Sequence, residues 1–131
     1  MGEYLPLFKP GQAITLKASA PITARQLVAI TGPGTVGPAG ANALNWVGVA
    51  GFDAATNDNV TIYASGPVHE LIASGTVTAG DVVAPAAAGA VATLAAVTTP
   101  TPADVTNTRA IVGVAINTAT NGNKVRIIAT R

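Results

Sequence analysis

The sequence predicts an all-β fold built from two sequence-related modules, and two observations carry that expectation. The first is the stretch Trp46-Val47-Gly48-Val49-Ala50-Gly51-Phe52, followed after a polar turn by Val60-Thr61-Ile62-Tyr63-Ala64. It is written again as Ile111-Val112-Gly113-Val114-Ala115-Ile116-Asn117 and Val125-Arg126-Ile127-Ile128-Ala129. Val47 and Val112, Ala54 and Ala119, Val60 and Val125, and Ile62 and Ile127 all stand 65 positions apart, so no gap is needed across both strands and their turn. The second observation extends the match backwards at a spacing of 55. Ile14 to Ser19, Ile22 to Ala24 and Leu27 to Ala29 align with His69 to Ser74, Val77 to Ala79 and Val82 to Ala84. The difference between the spacings is an insertion in the second copy, where the residues turn to Thr and Pro. Self-similarity at fixed spacing is the signature of repeated structural units. The expected organisation is an extended N-terminal arm over 1–12 and a single β domain over 13–131, made of repeats over about 13–66 and 67–131.

A chain of 131 residues suits one domain, which at that size buries roughly two-thirds of its unfolded surface. It holds only five aromatics (Trp 1, Tyr 2, Phe 2). With Ala, Val and Thr dominant, each position adds little area at about 25 cal/mol per Å², so the core should be modest and stability completed by association. Charged residues make up 10% of the chain and the net charge is +1, against a usual charged share of about 25%. Such a surface favours self-association. It argues against nucleic acid, since phosphate binding needs clustered Lys and Arg and the basic residues here are scattered.

In chain order, residues 1–12, MGEYLPLFKPGQ, have no counterpart in the second repeat. Pro6 and Pro10 forbid a continuous helix and fix φ, so the segment is extended. Its large side chains make it an arm that docks, either on its own domain or on another chain. Tyr4, Leu5, Leu7, Phe8 and Lys9 are therefore the candidate contacts with a partner chain or a neighbouring subunit.

Ala13 to Ala18 alternates, with Ile14, Leu16 and Ala18 on one face, the period of a half-buried strand. Gln26 to Ile30 is apolar on both faces, hence a strand covered on both sides. Gly32-Pro33-Gly34 and Gly37-Pro38-Ala39-Gly40 are loop chemistry around a short strand at Thr35-Val36. In the central stretch Gly48 and Gly113 hold the same place in both copies, and a glycine inside a strand marks a bulge or the close approach of another backbone. Trp46, which stands where Ile111 stands, belongs to the core.

The turn at Asn121-Gly122 is a strong hairpin signal because both residues tolerate φ > 0. Tyr63 and Ile128, apolar at matched positions on the nominally outer face, suggest that this face is covered too. His69 replaces Ile14 and falls in phase with Leu71, so a hydrogen-bonded histidine at the core edge is expected rather than a pH-sensitive contact. Asp81 matches Gln26 and reads as a polar strand end. Ala84 to Val97 has helical propensity, but Pro85 and Gly89 interrupt it and the first copy has no helix there. The insertion Thr98 to Asp104 is an extended surface loop, with a short helical turn possible after Pro102, and is the expected projecting element.

Catalytic and cofactor chemistry is not expected. No Gly-Lys-Ser or Gly-Lys-Thr phosphate loop occurs, which excludes a P-loop ATPase or recombinase. Asp53 and Asp58 share a turn with Asn57 and Asn59, but the spacing fails the EF-hand pattern. Ser19, Ser65 and Ser74 lie in no nucleophile elbow. With no cysteine there is no disulfide, no thiolate and no Cys-type zinc site. No run reaches the roughly 18 apolar residues of a membrane span, and no secretion signal opens the chain. The expectation is a non-enzyme without cofactor, metal, nucleic acid or membrane partner, made in the cytosol.

With these repeats laid out, the chain resembles the capsid decoration, or cement, proteins of tailed bacteriophages. The likeness rests on Ile22-Thr23-Ala24-Arg25-Gln26-Leu27-Val28, Val47-Gly48-Val49-Ala50, Val77-Thr78-Ala79-Gly80-Asp81-Val82-Val83 and Ile111-Val112-Gly113-Val114-Ala115, and it spans nearly everything after the arm. It implies a barrel-like or β-tulip subunit, made in the host cytoplasm and placed on the outer capsid surface of the virion. It also implies a homotrimer at three-fold and quasi-three-fold positions that bridges major capsid proteins. The rival reading is a receptor- or carbohydrate-binding head module that uses the Thr/Pro loop and the turn from Asp53 to Asn59.

Overall fold

Alternation and β-branching set the strands. The computed structural model describes residues 13–64 and 68–130, and the expected arm lies outside the described residues. The first five strands are β1 Ala13–Ala18, β2 Leu27–Gly32, β3 Thr35–Pro38, β4 Trp46–Ala50 and β5 Asn59–Ala64. They close into a barrel in the order β1-β3-β2-β4-β5. β1 is antiparallel to β5 and parallel to β3. The next five are β6 Val68–Ile72, β7 Val82–Pro85, β8 Val91–Thr93, β9 Gly113–Ala115 and β10 Lys124–Ala129, forming a sheet ordered β6-β10-β9-β7-β8.

The two sheets share their wiring at the sequence spacings noted above. Strand β1 meets β3 at Ala18↔Val36, and the edge of the second sheet is drawn round by a parallel bridge at Ala73↔Val91. Isolated antiparallel bridges join Ile22 to Ala54 and Val77 to Ala119. Inside the barrel Ala18, Ile22, Val28, Val36, Ala50, Ala54, Val60 and Ile62 form one buried cluster. Their counterparts Ala73, Val77, Val83, Val91, Ala115, Ala119, Val125 and Ile127 are all buried in the other. Small residues suffice because each interior is narrow.

Strand β2 explains why the halves make one body. Leu27, Val28 and Ala29 are all buried, Val28 inside the barrel and Leu27 and Ala29 outside it, in the cluster of the second sheet. Trp46 and Val49 join them there. The Trp46 indole N–H donates to the Ala110 carbonyl at 3.0 Å, which gives its polar atom a partner in a buried position.

Gly48 and Gly113 sit where other backbone closes in. A Cβ at Gly48 would strike the Tyr63 carbonyl, and one at Gly113 the Ile128 carbonyl. The repeated glycine therefore answers to space.

Three expectations need correction. Tyr63 and Ile128 are 49% and 44% exposed, so the outer face of β5 and β10 is open within one chain. At the Asn121-Gly122 turn only Gly122 is left-handed, at φ 81. The matched Asn57 has φ 73, so each turn needs one such residue and not the two of a tight hairpin. Strand β9 begins at Gly113 and not at Ile111, because the inserted segment ends in a 3₁₀ turn over Thr108–Ala110.

The Ala-rich stretch forms no α-helix: the end of β7, a 3₁₀ turn at Ala87–Gly89 and β8 occupy it, as the interruptions by Pro85 and Gly89 require. Within the insertion, 98–101 is irregular and α1 follows at Pro102–Asn107. Proline at its first turn is pre-organised for helix.

Candidate interaction surface

Several polar side chains among the described residues tie down turns. The Thr23 N–H donates to Gln26 Oε1 at 2.8 Å, and the Thr78 N–H donates to Asp81 Oδ2 at 3.0 Å. The Thr93 hydroxyl also donates to Asp81 Oδ2, at 2.8 Å, so Asp81 is the strand-end polar residue its pattern implies. The Ala24 N–H donates to Asp53 Oδ1 at 2.8 Å. His69 is half-buried with Nε2 3.0 Å from the Ala64 carbonyl oxygen, at the edge of the core. Glu70 faces three cations, Arg25 at 3.1 Å, Arg126 at 3.7 Å and Lys124 at 4.0 Å, all on the solvated surface where such pairs contribute about 0–1 kcal/mol. Among the described residues no three His, Cys, Asp or Glu side chains gather to hold a metal, and none of the described helices is long and apolar enough to cross a membrane.

The surface offers apolar groups instead. Ile30, Phe52, Tyr63, Val68, Val82, Val97, Val105, Ile116 and Ile128 are exposed. Several converge on a groove of about 400 Å³ between the second sheet and the inserted segment, walled by Val82, Leu94, Val97, Val105 and Ile111, with Asp104 at its side. The insertion therefore does more than project. It forms one wall of a cleft that residue patterns in the sequence did not reveal, because Val82, Leu94 and Ile111 come together only when β7 and the start of β9 are paired in space.

Asp104 holds that wall in shape. Its Oδ2 accepts from the Thr101 N–H at 2.7 Å and from the Thr101 hydroxyl at 2.9 Å, so the start of α1 is tied by reciprocal capping. The Thr101 backbone N–H first, and then its hydroxyl, hold the carboxyl below its ordinary value of 3.8. A carboxylate with a lowered folded pKa stabilises above its unfolded range, and the contribution is lost as pH falls through the folded value. Asp104→Asn is expected to speed amide exchange at Val105 and Thr106 at neutral pH while leaving the strands protected. The difference from wild type should vanish in acid below the carboxylate range.

Of the sequence candidates, Tyr4, Leu5, Leu7, Phe8 and Lys9 lie outside the described residues. Trp46, which a sugar-binding reading would want exposed beside Phe52, is buried, whereas Phe52 is 47% exposed.

The described residues thus form a small all-β body with two packed interiors and an apolar cleft. The comparisons agree. The family model for phage cement proteins matches residues 8–130, and the chain belongs to that family, whose members are capsid-associated structural proteins and not a class of enzyme. Among solved structures, the chain is similar to the head fiber gp8.5 N base of bacteriophage phi29. The TM-score is 0.66 at 21% identity, covering 91% of this chain and 93% of that one, a likeness of fold. No curated protein sequence matches the chain.

Proposed function

We propose that this protein decorates the outer surface of a tailed-phage head, binds the major capsid protein as homotrimers at three-fold and quasi-three-fold positions, and stabilises the shell without catalysing a reaction. The observation that carries the reading is family membership across residues 8–130, in a body that leaves large apolar side chains such as Phe52, Tyr63 and Ile128 exposed. Residues 13–131 act as one domain of two modules (about 13–66 and 67–131), and residues 1–12 act as an arm whose Tyr4, Leu5, Leu7, Phe8 and Lys9 contact the capsid or a neighbouring subunit.

Linkage supplies the mechanism. A ligand that binds only the assembled lattice stabilises it by RT ln(1 + [L]/Kd), about 2.7 kcal/mol per site at a hundredfold excess over Kd, and a shell presents many sites. The arm can add a strand to a neighbouring sheet edge, where main-chain hydrogen bonds supply affinity.

Purified protein mixed with undecorated shells is expected to bind saturably and raise their resistance to heat or chelator. Binding to host cells but not to shells would reject the reading. Deleting residues 2–12 is expected to leave a folded domain with at least tenfold weaker shell binding, and unchanged affinity would remove the arm from the mechanism.

A further inference from the structure

Each module has two outer faces, and within one chain a face of the first module is seated on the other face of the second. Leu27, Ala29, Ala39, Trp46 and Val49 are the first module's contribution, at most 6% exposed. They meet a shelf of Pro85, Gly89, Ala110 and Val112, all buried. The contact is bonded through main chain: the Gly89 N–H donates to the Ala39 carbonyl and the Asn42 N–H to the Pro85 carbonyl, both at 2.9 Å. Gln26 Nε2 donates to the Ala88 carbonyl at 3.0 Å. Approach is close enough that a Cβ at Gly89 would fall 2.8 Å from Gln26 Cβ.

Among the described residues, the same two faces recur with no second module seated on them. At the repeat spacings, the counterparts of Leu27, Ala39, Trp46 and Val49 are Val82, Leu94, Ile111 and Val114, while Ala84, the counterpart of Ala29, is buried. Val82 is 37% exposed where Leu27 is fully buried, and the other three are half-buried. Three of these four line the groove. The counterparts of Pro85, Gly89, Ala110 and Val112 are Ile30, Gly34, Asn45 and Val47, of which the first three are exposed, while Val47 is half-buried and packs against the barrel's own cluster. Gly34 even keeps the left-handed backbone of Gly89, φ 67 against 72. One chain thus carries a covered copy of this contact in its middle and an uncovered half of it at each end.

We infer that the groove of Val82, Leu94 and Ile111 takes a second copy of this chain head to tail, the incoming face being Ile30 and Pro33-Gly34 of that copy's first module. The occupant is identified by the chain's own contact, which already shows that a face of this kind seats on a shelf of this kind. The inserted segment walls the groove and deepens the seat, and Ile30 supplies more bulk than the proline it replaces. A contact between two different faces is heterologous, so repetition closes a ring or runs on as a filament. This deepens the self-association in the reading above, and three copies is the ring that reading requires.

The test uses the full chain without shells, its mass followed by analytical ultracentrifugation. Wild type is expected to assemble. Val82→Glu and Ile30→Glu, each at an exposed position and each checked for folding by circular dichroism and Trp46 fluorescence, are expected to sediment as monomers. Mixed together they should form a dimer that grows no further, because each retains the face the other lacks. A wild-type monomer, variants that keep the wild-type mass, or a mixture that stays monomeric would overturn the contact. Should either glutamate variant fail to fold, a cysteine pair answers the same question in a chain without native cysteine. Pro33→Cys with Leu94→Cys should give oxidised dimers and larger species, while Ala88→Cys with Ala39→Cys, the matched pair within one chain, should link internally. Absence of the intermolecular link while the internal one forms counts against the contact. Self-assembly without shell binding would leave the contact standing and reject the cement reading, whereas shell binding by a wild-type monomer would do the reverse.

Discussion

Gly113→Ala is expected to lower the stability of the folded chain by about 3 kcal/mol or more, since forcing even one methyl into a packed site costs typically 1–3 kcal/mol and more when backbone must move. The added Cβ would strike the Ile128 carbonyl oxygen and lie 2.8 Å from its carbon and 3.0 Å from Ala129 Cα. Those atoms belong to β10, which is paired on both sides, with β6 and with β9, so neither neighbour can retreat without breaking a ladder. Against a total of about 5–15 kcal/mol for a domain, the loss should appear as a fall of roughly 10 °C in the thermal midpoint. Gly122→Ala separates space from conformation. Nothing lies within 4 Å of its Cβ, so only the strain of a left-handed alanine is expected, about 1 kcal/mol. Equal losses at the two positions would show that close approach is not the reason for Gly113.

Trp46→Ala is expected to cost about 3–5 kcal/mol, the usual range for emptying a buried aromatic site, and to weaken both halves together. The indole is 3% exposed, lies in the cluster that contains the second sheet's interior, and satisfies the Ala110 carbonyl. Its loss leaves both a cavity between the modules and an unpaired carbonyl. Unfolding of the variant, followed in denaturant by far-UV circular dichroism, should remain one transition at a lower midpoint, because Leu27, Ala29 and Val49 still bridge the halves. Trp46→Phe keeps most of the ring and gives up the hydrogen bond, for a loss of about 1–2 kcal/mol. In the wild type the single tryptophan reports on the junction, so its fluorescence and the circular dichroism signal should change together. Two separated transitions would mean that the modules hold themselves up independently.

Much of this architecture was legible because strand periodicity and repetition are local properties. Ile14, Leu16 and Ala18 alternate as β1 alternates, and of Gln26 to Ile30, expected to be covered on both faces, Leu27-Val28-Ala29 are, because one face lines the barrel and the other meets the second module, whereas Ile30 is exposed. The same logic failed at Tyr63 and Ile128. An apolar residue on the outer side of a strand records that something covers it or that nothing does, and the linear pattern is the same in both cases. The groove was equally hidden, since its walls come from β7, the start of β9 and an insertion whose path depends on α1.

By itself the sequence determined most of the strands and the glycines at crowded backbone, because side-chain alternation and a missing Cβ act within a few residues of where they are written. Only the tertiary structure decided which outer faces meet. Leu27, Ala29, Trp46 and Val49 of the first module close on the second within the molecule, whereas Ile30 and Val82, at the matching positions of the two modules, stay exposed.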